Sequence, residues 1–218
     1  MRDKHDLPPG HADVICYNAP HPGNIKSISM AENLLILVPK SFDAAPPDRE
    51  GLLDALRDEQ FIAEALEVDG EQHYRPGDEF MMLITFLGCS PMIATGDVVS
   101  DGEQFCHIAT EGPLARPRFL SGDNLKVPRC PMCGHRHDNW QTIIEEWSAD
   151  PRHTFPCPTC DAVSSAPLLR WRKCAGFGRF FIKVWGIFES EAVPSPNFMA
   201  ELKKVSGIEW QHFYIRNQ

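Results

Sequence analysis

Apolar residues in this chain gather into short runs separated by polar and proline-rich stretches, and the runs differ in period. Asn33-Leu34-Leu35-Ile36-Leu37-Val38 is a nearly continuous apolar run, the pattern of a short buried strand. Past a proline-containing loop that ends at Pro47, Leu52, Leu53, Leu56, Phe61, Ile62 and Leu66 recur at largely helical spacing, which predicts a helix over 49–65. Turn signals follow at Asp69-Gly70 and Pro76-Gly77, and the run 79–87, dense in Phe, Met, Leu and Ile, reads as an interior strand. Residues 105–109 supply another strand. Near the end, 180–188 predicts a strand, 196–205 a helix and 210–215 a last strand. Residues 1–30, with Pro8, Pro9, Pro20 and Pro22 in polar surroundings, predict an irregular lead ordered only by docking.

The two ends of the chain share a plan. An offset of 146 residues pairs Ile36 with Ile182, Val38 with Val184, Phe42 with Phe188, Asp43 with Glu189, Leu52 with Phe198, Leu53 with Met199 and Leu56 with Leu202. The match is one of pattern rather than identity, and any two strand-loop-helix units align this well when the register is free. The expected class is α+β, built from two strand-helix-strand units. That plan is similar to a ferredoxin-like fold with a cysteine-bearing segment inserted between the halves. The expected division is a lead over 1–30, an acidic half over 31–115, a metal-bearing segment with basic flanks over 116–175, and a C-terminal half over 176–218 that packs on the first.

Composition bounds this picture. With 218 residues, 43% hydrophobic and 23% charged, the chain is long enough to bury a core without disulfides. The start has no apolar stretch of the secretory type, and the greasiest run falls well short of the roughly 20 residues a membrane span needs. A cytoplasmic protein with no membrane contact is the expectation. The net charge of −9 argues against a uniformly basic nucleic-acid coat, but it is unevenly spread. Residues 1–112 carry 7 basic and 20 acidic side chains, 113–183 carry 11 and 6, and 184–218 carry 3 and 4. The middle block reverses the sign of the whole, and it holds both C-x-x-C pairs.

Cys130-Pro131-Met132-Cys133-Gly134 and Cys157-Pro158-Thr159-Cys160-Asp161 are the strongest chemical signal. Two thiolates three positions apart chelate one metal when the backbone between them turns tightly, and four sulfurs at about 2.3 Å close a tetrahedral zinc shell. Both C-P-x-C knuckles resemble those of zinc-ribbon proteins over residues 126–165. The resemblance implies one structural Zn²⁺ held by Cys130, Cys133, Cys157 and Cys160, and no activity in particular. The 23 residues between the pairs leave room for a short helix, with Asp138 as cap, Gln141 as its reciprocal partner, and Trp140, Ile143, Ile144 and Trp147 on one face. A rubredoxin-like iron centre uses similar knuckles, and a disulfide within each pair is a weaker alternative. His135 and His137 are expected at the surface, outside a shell that four cysteines complete.

Other candidates are weaker. Cys89, in Gly88-Cys89-Ser90-Pro91 at the end of an expected strand, is a possible nucleophile with His107 or His73 as base. A small buried hydrophobe is the plainer role for it, as for Cys16, Cys106 and Cys174. Asp54, Asp58, Glu59 and Glu64 fit the solvated face of a helix. No phosphate-cradling loop, dinucleotide fingerprint or H-E-x-x-H motif is present. Arg170-Trp171-Arg172-Lys173, with Arg179 nearby, places guanidinium groups beside an indole, which suits single-stranded nucleic acid if the ring is exposed. If Trp171 instead points inward, the basic block serves internal or protein docking. The Gly176 and Gly178 pair suits a turn, or a bulge or close backbone contact. The functional expectation is a non-catalytic zinc-binding adaptor or macromolecule-binding protein, with a protein or single-stranded nucleic acid as partner. An iron electron-transfer protein and a thiol enzyme using Cys89 are the alternatives.

Overall fold

The computed structural model describes residues 32–87, 106–189 and 191–217. The irregular lead, Cys16, Cys89 and Phe105 lie outside the described residues. In chain order the elements are β1 (Glu32–Pro39), α1 (Arg49–Asp58), β2 (Ile62–Val68), β3 (Glu71–Pro76), α2 (Phe80–Leu83), β4 (Ile84–Phe86), β5 (Ile108–Glu111), β6 (Arg118–Ser121), α3 (Trp140–Ala149), β7 (Phe155–Pro156), β8 (Val163–Ser164), β9 (Ala175–Gly178), β10 (Phe181–Trp185), β11 (Ala192–Pro194), α4 (Pro196–Ser206) and β12 (Trp210–Asn217). This is an α+β chain with a mostly antiparallel sheet.

Local chemistry sets the helix limits. The Asp48 carboxylate accepts from the Gly51 N–H at 2.9 Å and starts α1. The Ser195 hydroxyl does the same for Phe198, Pro196 occupies the first turn, and Gly207, at φ 72°, ends α4 in the left-handed region. The helix expected over 49–65 stops at Asp58 because Gln60 turns left-handed at φ 53°. The chain then enters β2, which pairs with β3 across the Asp69-Gly70 turn, both residues at positive φ.

The run 79–87 is also corrected. Phe80 N–H bonds to Gly77 O, and Met82 and Leu83 N–H to Glu79 O, so 79–83 winds into a helical turn before the short β4. Phe80 and Ile84 are buried while Met81 and Met82 are exposed, a spacing of four rather than two. The three strands of the C-terminal plan and of 33–38 form where expected, β10 over the shorter span Phe181–Trp185.

The main sheet has the order β12-β1-β10-β5-β3-β2, with each neighbouring pair antiparallel. β5 therefore runs parallel to β1 with β10 between them, and β12 runs parallel to β10 with β1 between them. α1 and α4 lie on one face, where Leu52, Leu53, Leu56, Phe198 and Leu202 pack on Leu35, Leu37, Ile108, Ile182 and Val184. Of the positions matched by the 146-residue offset, Leu52 with Phe198 and Leu56 with Leu202 bury their side chains in this layer, whereas Ile36 and Val38 face the opposite side of the sheet from Ile182 and Val184.

The opposite face is covered by the segment between β5 and β10. Leu34, Ile36, Val38, Phe181, Phe213 and Ile215 form an apolar patch closed by Leu120 of β6. β6 pairs with β9, whose residues alternate. Phe177 joins a separate core of Ile143, Ile144, Trp147, Ala166, Leu169, Trp171 and Ala175. Gly176 and Gly178 turn toward the sheet, where an added Cβ would strike the Phe213 ring and the Val38 Cγ2. The two glycines thus belong to a strand pressed flush on the sheet, not to the turn expected from sequence. Loops of the same segment bond the outer edge of β12, Tyr214 N–H to Lys173 O at 2.8 Å and Asp123 N–H to Arg216 O at 2.7 Å, so that edge is not left open.

Gly176→Ala should lower the free energy of unfolding by about 1–3 kcal/mol, because the methyl group overfills the contact with Phe213. Urea denaturation of variant and wild type measures this; equal midpoints would mean that β9 does not press on the sheet.

Candidate metal centre

The two knuckles fold alike. Cys130 N–H bonds to His135 O at 2.8 Å and Gly134 N–H to Cys130 O at 3.1 Å. Cys157 N–H bonds to Ala162 O at 3.0 Å and Asp161 N–H to Cys157 O at 2.9 Å. The residue after the second cysteine is left-handed in both, Gly134 at φ 77° and Asp161 at φ 56°. The stems match as well, since Arg129 pairs with Arg136 and Pro156 with Val163. Each turn buries its first cysteine and exposes its second.

Stacked on each other, the knuckles bring the Sγ atoms of Cys130, Cys133, Cys157 and Cys160 within 4.8 Å of one another. Cys130 and Cys160 sulfurs are 3.9 Å apart, and Cys133 and Cys157 sulfurs 3.6 Å. A tetrahedron of sulfurs at about 2.3 Å from zinc has edges of about 3.8 Å, so the spacing fits a single ion between the knuckles. All four are free cysteines in this structure, so neither knuckle is closed by the disulfide considered as an alternative.

The thiols differ in acidity. Cys130 is pulled down to about 6, foremost by the backbone N–H of Cys133. Cys160 receives the backbone N–H of Ala162, which draws it down, but the neighbouring thiols of Cys133, Cys157 and Cys130 together with desolvation push it up to about 12. Four crowded sulfurs cannot all ionise unaided, and a cation placed among them reverses that. The donor set therefore suits a metal that prefers thiolate.

The helix α3 covers one side of this module. Its N-cap is Asn139 without a side-chain bond, and Asp138 instead pairs with Arg136 at 3.1 Å, which corrects the expected cap. Trp147 is buried against Phe42 and Phe177, with ring centroids 5.8 and 4.8 Å away. His135 accepts or donates to Thr159 Oγ1 through Nδ1 at 2.8 Å, linking the two knuckles. His137 is not at the surface: it is buried between His135 and Phe155, and burial lowers its pKa.

The basic-aromatic patch takes a different form from the one sequence suggests. Trp171 is only 5% exposed, its Nε1 donates to Ala166 O at 2.8 Å, and it packs on Phe119 and Phe177. No indole face is open for a base. Arg170 and Arg172 project to solvent, Arg170 touching Pro131 O. Lys173 meets His212 Nε2 at 2.9 Å, and Arg179 bonds Leu114 O at 2.7 Å. Arg170 thus contacts the first knuckle, Lys173 contacts β12, and Arg179 contacts the chain at Leu114, and the expected stacking platform does not form. Cys106 and Cys174 are buried, the first pushed up to about 12 by desolvation, as a packed apolar thiol should be. Asp54, Asp58, Glu59 and Glu64 are exposed.

Sequence reasoning missed the Thr159–His135 link and the alignment of Arg129 with Arg136 and Arg170. The symmetric placement of Arg129 before Cys130 and Arg136 after His135 was the available signal. No family model matches the chain, and neither a curated protein nor a solved structure does.

Gly134 has open space around its Cα, so Gly134→Ala tests backbone strain alone. It should cost the metal-loaded protein about 1–2 kcal/mol, seen as a lower thermal midpoint; an unchanged midpoint would mean the knuckle does not need the left-handed turn. Burial, assisted by Lys173, lowers His212 to about 4, and burial also lowers His73. The unfolded chain takes up these protons near pH 6.5 while the folded chain resists, so stability is full above about 6.5 and falls as pH drops toward 4. Urea midpoints measured between pH 7.5 and 4.5 should decline, and His212→Gln should flatten the decline.

Proposed function

We propose that the chain is a metal-stapled, non-catalytic binding module in which Cys130, Cys133, Cys157 and Cys160 hold one structural zinc ion. The observation that carries this reading is the clustering of four Sγ atoms within 4.8 Å. With four thiolates bound, zinc has no position left for water or substrate, which favours support over catalysis. Zinc-ribbon geometry, a ferredoxin-like plan for the six-element frame of β1, α1, β5, β10, α4 and β12, and the division of the chain at 31–115, 116–175 and 176–218 belong to the same proposal. The strand order and the parallel relation of β1 to β5 and β10 to β12 support it.

A protein partner is favoured over single-stranded nucleic acid. The buried indole of Trp171 removes the stacking surface that the latter requires. Exposed apolar side chains of the 116–175 segment, Met132 at 75%, Val163 at 71% and Leu168 at 64%, are available for contact with another protein. Thiolate ligation favours a reducing compartment, which supports a cytoplasmic location. Among the described residues no helix is long and apolar enough to cross a membrane.

Elemental analysis of the purified protein should find one zinc per chain and no visible absorbance. Chelation should release it and melt the core around Trp147 and Trp171 before the main sheet, followed by tryptophan fluorescence and amide exchange. Iron with a red colour would move the reading to electron transfer, and absence of any metal together with an unchanged melt would end it.

A further inference from the structure

Three arginines lie side by side at the stem of the first knuckle. Arg129 bridges Arg136 on one side and Arg170 on the other, both antiparallel, and Arg170 N–H bonds to Arg129 O at 2.8 Å. Residues directly opposite across such a bridge share a face, and like charges placed there repel. The fold does not demand this. The same stem position in the second knuckle holds Pro156 opposite Val163, so an apolar pair serves equally well in this geometry. Like charges in register call for an opposite charge close by.

The guanidinium groups point to where that charge is. Arg129 Nη1 donates to Gly134 O at 3.0 Å, and Arg170 Nη2 donates to Pro131 O. Both acceptors belong to the knuckle loop, each directly adjacent in sequence to a ligand cysteine. Arg136 is held beside them by Asp138 at 3.1 Å. Four thiolates around a dication leave two negative charges in excess.

We propose that Arg129, Arg136 and Arg170 are positioning residues for the metal centre. They offset its excess negative charge and, through Gly134 and Pro131, brace the loop that holds Cys130 and Cys133. The proposal rests on the metal-binding reading above. It assigns to the most basic part of the ribbon a role inside the molecule, and it explains why the arginines flank the first knuckle and not the second. Outer-shell partners of this kind commonly change metal affinity by about 10–100-fold.

The test uses the full chain, with Zn²⁺ and Co²⁺ as probes. Affinity is measured by competition with a chromophoric chelator, and the thiolate-to-cobalt charge-transfer band reports the shell. Arg129→Met and Arg170→Met should each weaken Zn²⁺ binding about 10-fold, with near-UV circular dichroism of the loaded protein unchanged. Arg136→Met should do so less, because Asp138 already shares its charge. Arg129→Lys and Arg170→Lys should each weaken binding less than the Met variants, and Arg152→Met, away from the stem, should have no effect. Folded variants that bind Zn²⁺ within twofold of wild type overturn the proposal, as does a loss confined to binding of inorganic phosphate, which would make the trio an external anion site. Failure of the metal reading is a separate result: the wild type itself would bind neither ion.

Discussion

Four cysteine sulfurs packed within 4.8 Å have no comfortable charge state without a cation among them, and the middle of the chain is arranged around that constraint. One thiol there ionises readily and another resists strongly. Regular hydrogen bonding offers little alternative support, because β7 and β8 pair over two residues each and the arginine stem is built from isolated bridges. Two such short ribbons would not persist alone. On the metal-binding reading, ligation supplies what ladder length does not, and the covering helix α3 adds a small apolar core around Trp147.

The module is tied closely to the sheet. β9 connects two interiors by simple alternation: Phe177 enters the core beneath α3, while Gly176 and Gly178 press against Phe213 and Val38. A side chain larger than hydrogen at either glycine would lift the whole segment from the apolar face of β12, β1 and β10. The loops that bond Tyr214 and Arg216 close the outer edge of β12 from the same side. Phe177 and Phe119, which receive Trp147 and Trp171, sit on β9 and β6, and the other sides of those strands meet the sheet through Gly176, Gly178 and Leu120.

Much of this frame is legible in the apolar pattern. The run at 33–38 and the strand-helix-strand end of the chain read directly, since buried strands and a capped amphipathic helix leave strong local signals. The cysteine spacing pointed to the four sulfurs that the structure gathers. The errors have local causes. Leu66 continued a helical stripe by chance, and the Asp69-Gly70 turn was the better guide to the β2–β3 hairpin. Phe80 and Ile84 sit in a run so uniformly apolar that period alone could not separate strand from helical turn. Trp171 illustrates the limit of composition most clearly. Its arginine neighbours suggested a surface, yet the ring is held inside by Ala166 O nearby in the chain and by Phe119 on β6, far off in sequence, and no motif announces either contact.

The same limit applies to charge. The basic block of the middle segment looks in sequence like a surface for polyanions, but its members are largely occupied by the fold. Arg116 bonds the carbonyls of Ser148 and Ala149 at the end of α3. Arg118 and Lys183 share Glu111, Lys126 pairs with Glu189, and Arg179 reaches Asp43. Two of these partners, Glu111 and Asp43, come from the acidic first half. These pairs cancel in the net charge, so the −9 is the acidic excess that remains beside them and says little about the basic side chains they occupy. Affinity for a nucleic acid would have to compete with those pairs, whereas contact through Met132, Val163 and Leu168 would leave them intact. The charge asymmetry is better understood as cohesion between parts of one molecule than as attraction for a second.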